Sequence, residues 1–331
     1  MSEAFTPRER KSVVGGDPDV EHRRLGASGL KVSQLGLGGN TFGRAVDAAE
    51  TAGIVAAALD LGVNFYDTAD VYSQGVSETY LGAALAGKRD QAVIATKVHG
   101  PMGSGPNERG SSRAHIIAGV DASLDRLHTD YIDLLQLHAW DAETPLEETL
   151  RALDDLVRAG KIRYVGCSNF SAWQMVWGLW LADRRGWAPF VTNQSRYSLL
   201  SREVERELLP ACRAFGVGLI PYFPLAAGML TGKYREGELA PEGTRGYNNE
   251  RFFRVFGTPR NFAIVRKLDD WARRHERTVT DVAIAWLLAQ PAVSSVITGV
   301  TRPEQVETNV AAAAWTMTAE DVAEVTALTE P

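Results

Sequence analysis

Three short apolar runs in this chain end on polar residues able to move a proton. Asp67 follows Val63-Asn64-Phe65-Tyr66, Lys97 follows Ala92-Val93-Ile94-Ala95-Thr96, and His138 follows Ile132-Asp133-Leu134-Leu135-Gln136-Leu137, while Tyr72 comes shortly after Asp67. A tyrosine beside a lysine and a carboxylate is a way to make a proton donor. The phenol's ordinary pKa is about 10, and a neighbouring ammonium favours phenolate and draws the value toward neutrality. Asp67 can pair with Lys97, hold it in place and keep it charged, and His138 can orient a carbonyl oxygen or share the proton. Taken singly, each is as readily a structural strand-end residue. A second chemistry would use Lys97 as a Schiff-base nucleophile in a lyase or isomerase, but the ready partner in Asp67 disfavours it.

What must position these residues is a set of strands. Near-continuous apolar runs separated by helical patterns read as strands of a buried parallel sheet, whose C-terminal ends carry the chemistry of α/β folds. Arg23-Arg24-Leu25, a turn at Gly26-Ala27-Ser28-Gly29 and Leu30-Lys31-Val32 read as a hairpin, leading into a first strand over Val32 to Gly38. Helical spacing follows in Ile54, Ala58 and Leu61, placing a helix over Ala48 to Leu61 before Gly62. It recurs in Ile116, Val120, Leu124 and Leu127 after Ser111 or Ser112, and in Leu146, Leu150, Leu153 and Val157 before Gly160. A fourth stripe is Val204, Leu208, Ala211 and Phe215, closed by Gly216. Strands ending near Gly38, Asp67, Lys97, His138, Ser168, Gln194, Tyr222 and Thr298 make eight, each paired with a helical segment. That is the sequence form of a (β/α)8 TIM barrel, with a hairpin before it and an extra helix at the C-terminus. A doubly wound sheet is the alternative, without a visible reversal of strand order.

Composition agrees with one such domain over residues 21–331. Of 331 residues, 45% are hydrophobic and 23% charged, ordinary for a globular enzyme with a large core. The net charge of −6 disfavours nucleic acid or an anionic membrane as the main partner and leaves room for a local basic pocket. Cys167 and Cys212 are too few and too far apart for a disulfide framework or zinc site. No metal is expected. Residues 1–20 carry mixed charges, Gly15-Gly16 and Pro18, and read as a loose extension without a signal or membrane segment. A cytoplasmic location is expected, with a possible homo-oligomer.

Two nucleotide motifs fail on spacing. Gly36-Leu37-Gly38-Gly39-Asn40-Thr41 has Thr41 where a dinucleotide fingerprint needs glycine, and no helix opens directly after it. Gly228-Met229-Leu230-Thr231-Gly232-Lys233-Tyr234 is one residue short of a phosphate loop and has Tyr234 where Ser or Thr should stand. A better anion site lies between Thr298 and Asn309, which reads as strand, turn and a helix with Pro303 in its first turn. Its N-terminus and the guanidinium of Arg302 suit a phosphate.

Gly62-Val63-Asn64-Phe65-Tyr66-Asp67-Thr68-Ala69-Asp70-Val71-Tyr72 resembles the signature of the aldo-keto reductases. The similarity runs from Arg24 to about Leu328 and includes Leu25 to Ser33, Gly160 to Phe170 and Gly299 to Asn309, in order. The resemblance implies a TIM barrel that binds NADP(H) without a Rossmann domain and reduces a small-molecule carbonyl to an alcohol, reversibly. By it, Tyr72 matches the general acid, Lys97 and Asp67 the pair that tunes it, and His138 the residue that orients the carbonyl. It also implies cofactor contacts at Asp67, Ser168, Asn169 and Gln194, and a stacking ring at Tyr222. The turn at Pro224-Leu225-Ala226, Gly228, Lys233 and Arg245 would follow the pyrophosphate, joined by Gly299, Thr301, Arg302, Gln305 and Asn309. Phe223 departs from the commoner pattern, where a small hydroxyl residue often precedes the proline. His138-Ala139-Trp140-Asp141 resembles branches that include aryl-alcohol dehydrogenases and potassium-channel β-subunits. This keeps an NADP(H)-sensing regulatory module as the alternative function.

The substrate pocket is expected to draw on Asn40, Phe42, Met102 and Trp140 beside Tyr72 and His138. The segment Tyr234 to Pro259, with Tyr247, Phe252, Phe253 and Phe256, reads as a lid or contact surface. Trp173, Trp177 and Trp180 share one helical face and read as packing or an interface.

Overall fold

The computed structural model describes residues 20–247 and 249–330. The chain opens with an antiparallel hairpin, β1 (His22–Arg24) and β2 (Lys31–Ser33). It then alternates: β3 (Leu35–Gly38), α1 (Ala48–Asp60), β4 (Phe65–Asp67), α2 (Val76–Ala84), β5 (Val93–Val98), α3 (Arg113–Leu127), β6 (Ile132–Leu137) and α4 (Leu146–Arg158). There follow β7 (Ile162–Ser168), α5 (Ala172–Arg185), β8 (Phe190–Arg196), α6 (Leu208–Phe215) and β9 (Gly218–Tyr222). A long connection carries α7 (Glu250–Phe256), after which come α8 (Pro259–Arg274), α9 (Val279–Leu288), β10 (Val296–Gly299), α10 (Pro303–Ala313) and α11 (Ala319–Leu328).

The eight strands from β3 to β10 form one parallel sheet in the order β10-β3-β4-β5-β6-β7-β8-β9, with the helices outside it: a (β/α)8 TIM barrel. Seven strand pairs are ladders. The eighth closure, between β9 and β10, is a single bridge just before β10: Leu219 donates its N–H to Ala292 O at 2.7 Å and accepts from Ser294 N–H at 3.0 Å.

Side chains on a strand alternate between the barrel axis and the helices, and this period sorts the core in two. Phe65, Ala95, Leu134, Ile220 and Ile297 face inward and pack with Leu25 and Val32 of the hairpin, which plugs the N-terminal end of the barrel. Tyr66, Ile94, Leu135, Val165 and Leu219 face outward into the larger core under the helices. Gly26 sits at the plug with φ +59°, and a Cβ there would lie 2.3 Å from Val191 O. Only glycine fits both the left-handed backbone and the close approach.

The sequence expectations hold at element level and miss in three places. The strand over Val32 to Gly38 is two strands, broken where Gln34 donates its side-chain amide to Ala313 O and its N–H to Glu21 O. Helix α6 begins at Leu208, after a separate turn at Glu203–Glu205, and buries Leu208, Leu209 and Cys212 while Phe215 is exposed. Val20, expected in the loose extension, is buried in the core; the rest of that expectation falls on residues 1–19, outside the described residues. Of the two serines expected to open α3, Ser112 is the cap, accepting from His115 N–H. Cys167 and Cys212 are free and buried. No helix of the described residues is long and apolar enough to cross a membrane.

Candidate active site

The inward register that fills the lumen with apolar groups lower down delivers polar ones at its C-terminal end. Asp67 closes β4, Lys97 lies two positions beyond Ala95 on β5, and Gln136 and His138 lie two and four positions beyond Leu134 on β6. Tyr72 opens a short turn, Tyr72–Gly75, in which Ser73 and Gln74 adopt positive φ of 51° and 53° and swing the chain back over the strand ends. All four residues singled out from sequence therefore meet.

Lys97 Nζ is at the centre. It donates to Asp67 Oδ2 at 2.6 Å, to Thr68 O at 2.8 Å and to the Tyr72 hydroxyl at 3.3 Å. All three ammonium protons are thus directed, one at the phenol. The His138 ring stands edge-on to the Tyr72 ring, with centroids 5.8 Å apart. Burial alone would lower the Lys97 pKa, but Asp67 and Tyr72 outweigh it and hold the ammonium above its ordinary value.

The electrostatics correct two sequence expectations. Burial of the Tyr72 phenol outweighs the pull of Lys97, so its pKa is raised rather than drawn toward neutrality; Tyr72 is a protonated donor at physiological pH. Burial, then the Lys97 ammonium and His99, brings His138 down to about 3. A neutral imidazole can orient a carbonyl through an N–H, but it holds no second acidic proton to share.

Sequence reasoning missed a glutamine. Gln136 Nε2 donates to Asp67 Oδ1 at 3.3 Å, converging with Gln194 Nε2 at 2.7 Å on the same oxygen. With Lys97 on Oδ2, the buried carboxylate is satisfied on both oxygens. The signal was available: Gln136 is two positions before His138, on the same face of β6. Gln194, expected at a cofactor carboxamide, spends one amide proton on Asp67.

Behind the site lies a second buried acid pair. Glu78 accepts from Thr96 Oγ1 at 2.5 Å and from Arg126 Nε at 2.7 Å. Asp70 accepts from Val71 N–H at 2.7 Å through Oδ1, while its Oδ2 has no partner among the described residues. Burial, then the charge of Glu78, pushes the Asp70 carboxyl up to about 7.

The expected cofactor residues form two groups. In the first, Asn169, at a positive φ of 59°, donates to His138 O at 3.1 Å and Ser168 Oγ at 3.0 Å and accepts from the Tyr222 hydroxyl at 2.8 Å. Ser168, Asn169 and Tyr222 are thus linked to the end of β6. In the second, Lys233, Arg245 and Arg302 converge. Burial, then Arg245 and Arg302, lowers the Lys233 pKa, and burial, then Arg44, lowers that of Arg245. No carboxylate among the described residues forms an ion pair with these cations. Uncompensated cations at a barrel's C-terminal face fit an anion such as the phosphates of a dinucleotide. Gly228, with φ +104°, packs beside Lys233, whose Nζ is 3.4 Å from where a Cβ would stand.

Other expected contacts are otherwise engaged. The N–H groups of Ala226 and Gly228 bond to Phe223 O and Leu225 O within the turn after Pro224, both at 2.8 Å, which leaves neither for a pyrophosphate. Gln305 Oε1 accepts from Thr301 N–H at 2.7 Å, so it shapes the turn after Gly299. Asn309 is buried on α10. Of the expected pocket residues, Phe42 is buried in the core rather than facing a ligand, because the loop after β3 folds back to bridge Phe42 with Val46. Asn40 Oδ1 is buried without a partner among the described residues and faces Gly299. Met102 sits in a loop folded on Glu108, to whose carbonyl its N–H donates at 3.0 Å. Trp140 packs on Phe170, Trp173 and Trp177 at 5.3–5.8 Å. Within the segment 234–259, Tyr234 and Phe252 are buried against each other, centroids 4.9 Å apart.

Comparison with known proteins adds one family match and three relatives. A family model described as "Aldo/keto reductase family" matches residues 34–330. The chain is 39% identical over 308 residues to a protein of Arabidopsis thaliana named as a voltage-gated potassium channel subunit beta, covering 88% of this chain and 91% of that one. It is 35% identical over 329 residues to versiconal hemiacetal acetate reductase of Aspergillus parasiticus, covering 92% and 95%, and 35% identical over 318 residues to an aldo-keto reductase of Bacillus subtilis, covering 94% of each.

Proposed function

The chain belongs to the aldo/keto reductase family and is an oxidoreductase, and from that premise we propose that it reduces an aldehyde or ketone to an alcohol with NADPH. The observation that carries the reading is the directed hydrogen bond from Lys97 to a buried, protonated Tyr72. NADPH, when bound, supplies a hydride to the carbonyl carbon. Tyr72 gives its phenolic proton to the carbonyl oxygen, and the Lys97 ammonium, held by Asp67, stabilises the phenolate that remains. Neutral His138 donates an N–H to the same oxygen and fixes its position. The Lys233, Arg245 and Arg302 cluster is assigned to the phosphates, and the ring of Tyr222 to the nicotinamide.

The test is NADPH consumption over a panel of aldehydes. Tyr72→Phe should lose about 10²–10⁴-fold in kcat, the usual range for a general acid, with NADPH affinity retained; equal rates in both proteins reject the assignment. Reduction by the wild type should stay level through neutral pH and fall only above the ordinary phenol range, because Tyr72 titrates above its usual value.

A second reading follows from the relatives named as potassium channel subunits beta: the domain would report the cofactor's redox state to a partner protein, turning over slowly. Tight NADPH binding with a single turnover on every carbonyl would favour it over the first.

A further inference from the structure

Helix α5 has two apolar faces and the barrel uses one. Met175, Gly178, Leu181 and Ala182 are buried, and Gly178 lets the helix lie close on the Phe190 ring, which an added Cβ would meet at 2.4 Å. On the other side Trp173, Trp177 and Trp180 are 58%, 41% and 56% exposed, and Arg184 extends the row with its guanidinium 5.8 Å from the Trp180 ring. Intervals of four, three and four residues are those of the a and d positions of a helix–helix seam. An ordinary surface helix presents charged and polar residues there.

Area decides whether the row is large enough to matter. At about 250 Å² per indole side chain, the three tryptophans expose about 400 Å². Phe215, 55% exposed on α6, which packs beside α5, adds about 100 Å². Two copies joined through these side chains would bury about 1,000 Å² in all, where specific interfaces begin, before any rim is counted. The rim holds Gln174, Asp183, Arg184 and Arg185, mixed in sign, so it offers neither a strongly acidic nor a strongly basic partner an electrostatic handle.

We propose that α5 is a homodimer interface, two copies packing antiparallel across a two-fold axis at Trp177. The row is self-complementary, as such an axis requires. Trp173 and Trp180 lie about 6 Å and 4.5 Å along the helix from Trp177, so each flanking indole meets the opposite flanking indole of the second copy within about 1.5 Å of register. Tryptophan flanked by arginine is the composition of interface hot spots. The seam also bears on the reaction centre: Trp140, two residues after His138, packs on Trp173 and Trp177, so dimerisation would brace the wall on that side.

Sedimentation velocity on the full chain should give a dimer for the wild type and a monomer for Trp177→Glu. The variant should still unfold in one cooperative transition at low protein concentration, its midpoint lowered by no more than the loss of the Trp177 contacts with Trp140 and Trp173 accounts for. Trp177→Cys supplies the symmetric test, since a residue on a two-fold axis meets its own copy. Mild oxidation should cross-link it into a covalent dimer, with Cys167 and Cys212 buried and silent. A wild type that stays monomeric through the micromolar range overturns the proposal, as does a dimer unaffected by Trp177→Glu whose Trp177→Cys form does not cross-link. If Trp177→Glu fails to fold, the cysteine cross-link decides alone.

Discussion

At the residue scale, the site is a chain of directed donors that ends at one phenol. Gln136 and Gln194 fix one oxygen of Asp67, Lys97 the other, and the ammonium then has one proton left for Tyr72. Removing the first link should be felt at the last. Gln136→Leu removes one donor from a buried carboxylate, a loss of about 1–3 kcal/mol, and should lower kcat by roughly tenfold or more with KM little changed. An unaltered kcat would show that Gln194 suffices. Asp70 offers a separate prediction. Its folded-state pKa of about 7 lies above the ordinary carboxyl value, so between those values the folded state binds the extra proton. Stability should therefore fall as pH rises from 4 toward 8, by up to roughly 3–4 kcal/mol. Asp70→Asn should flatten that slope in urea melts across the range, and a parallel slope in both proteins would mean that Asp70 is not its source. The quartet proposed to be catalytic could be read from sequence because each member ends an apolar run or closely follows one. Gln136 escaped notice inside such a run, where a polar residue was taken as part of the strand. The raised pKa of Tyr72 was beyond reach, because it depends on how completely the loop after β4 covers the phenol, and sequence gives the neighbours without the burial.

At the element scale, strands and helices followed their periodicities wherever one face met one core. The exceptions have local causes. Residues Val32 to Gly38 are continuously β-like, yet the chain must leave the hairpin and enter the barrel within them, and only the tertiary bonds of Gln34 mark the break. In the stripe that runs into α6 only Phe215 missed: Leu208 is buried, Val204 and Ala211 pack against the core, and Phe215, at the helix end, is exposed. Phe42 was placed by proximity to a strand end, but its loop turns inward. The hairpin plug is the element with the least tolerance: Gly26→Ala combines a left-handed φ with a Cβ 2.3 Å from a backbone oxygen. It should cost about 2 kcal/mol or more, seen as a lowered thermal midpoint, and a midpoint equal to wild type would mean that the hairpin is only loosely docked.

At the scale of the whole molecule, eight alternating units pointed to a barrel and kept an open sheet as the alternative, and the unbroken strand order β10-β3-β4-β5-β6-β7-β8-β9 decides for the barrel. What alternation could not reveal is how the ring is joined. Seven joints are ladders and one, between β9 and β10, is a lone bridge at Leu219 and Val293. The two strands on either side of that joint lead to the two halves of the proposed dinucleotide site, Tyr222 from β9 and the Arg302 turn from β10. Mechanically the barrel is a split ring, and a ligand gripped on both sides of the split acts as its clasp. Strain applied to such a ring would collect at the gap, and bending confined to that joint would leave the other seven, with the residues they carry, in register.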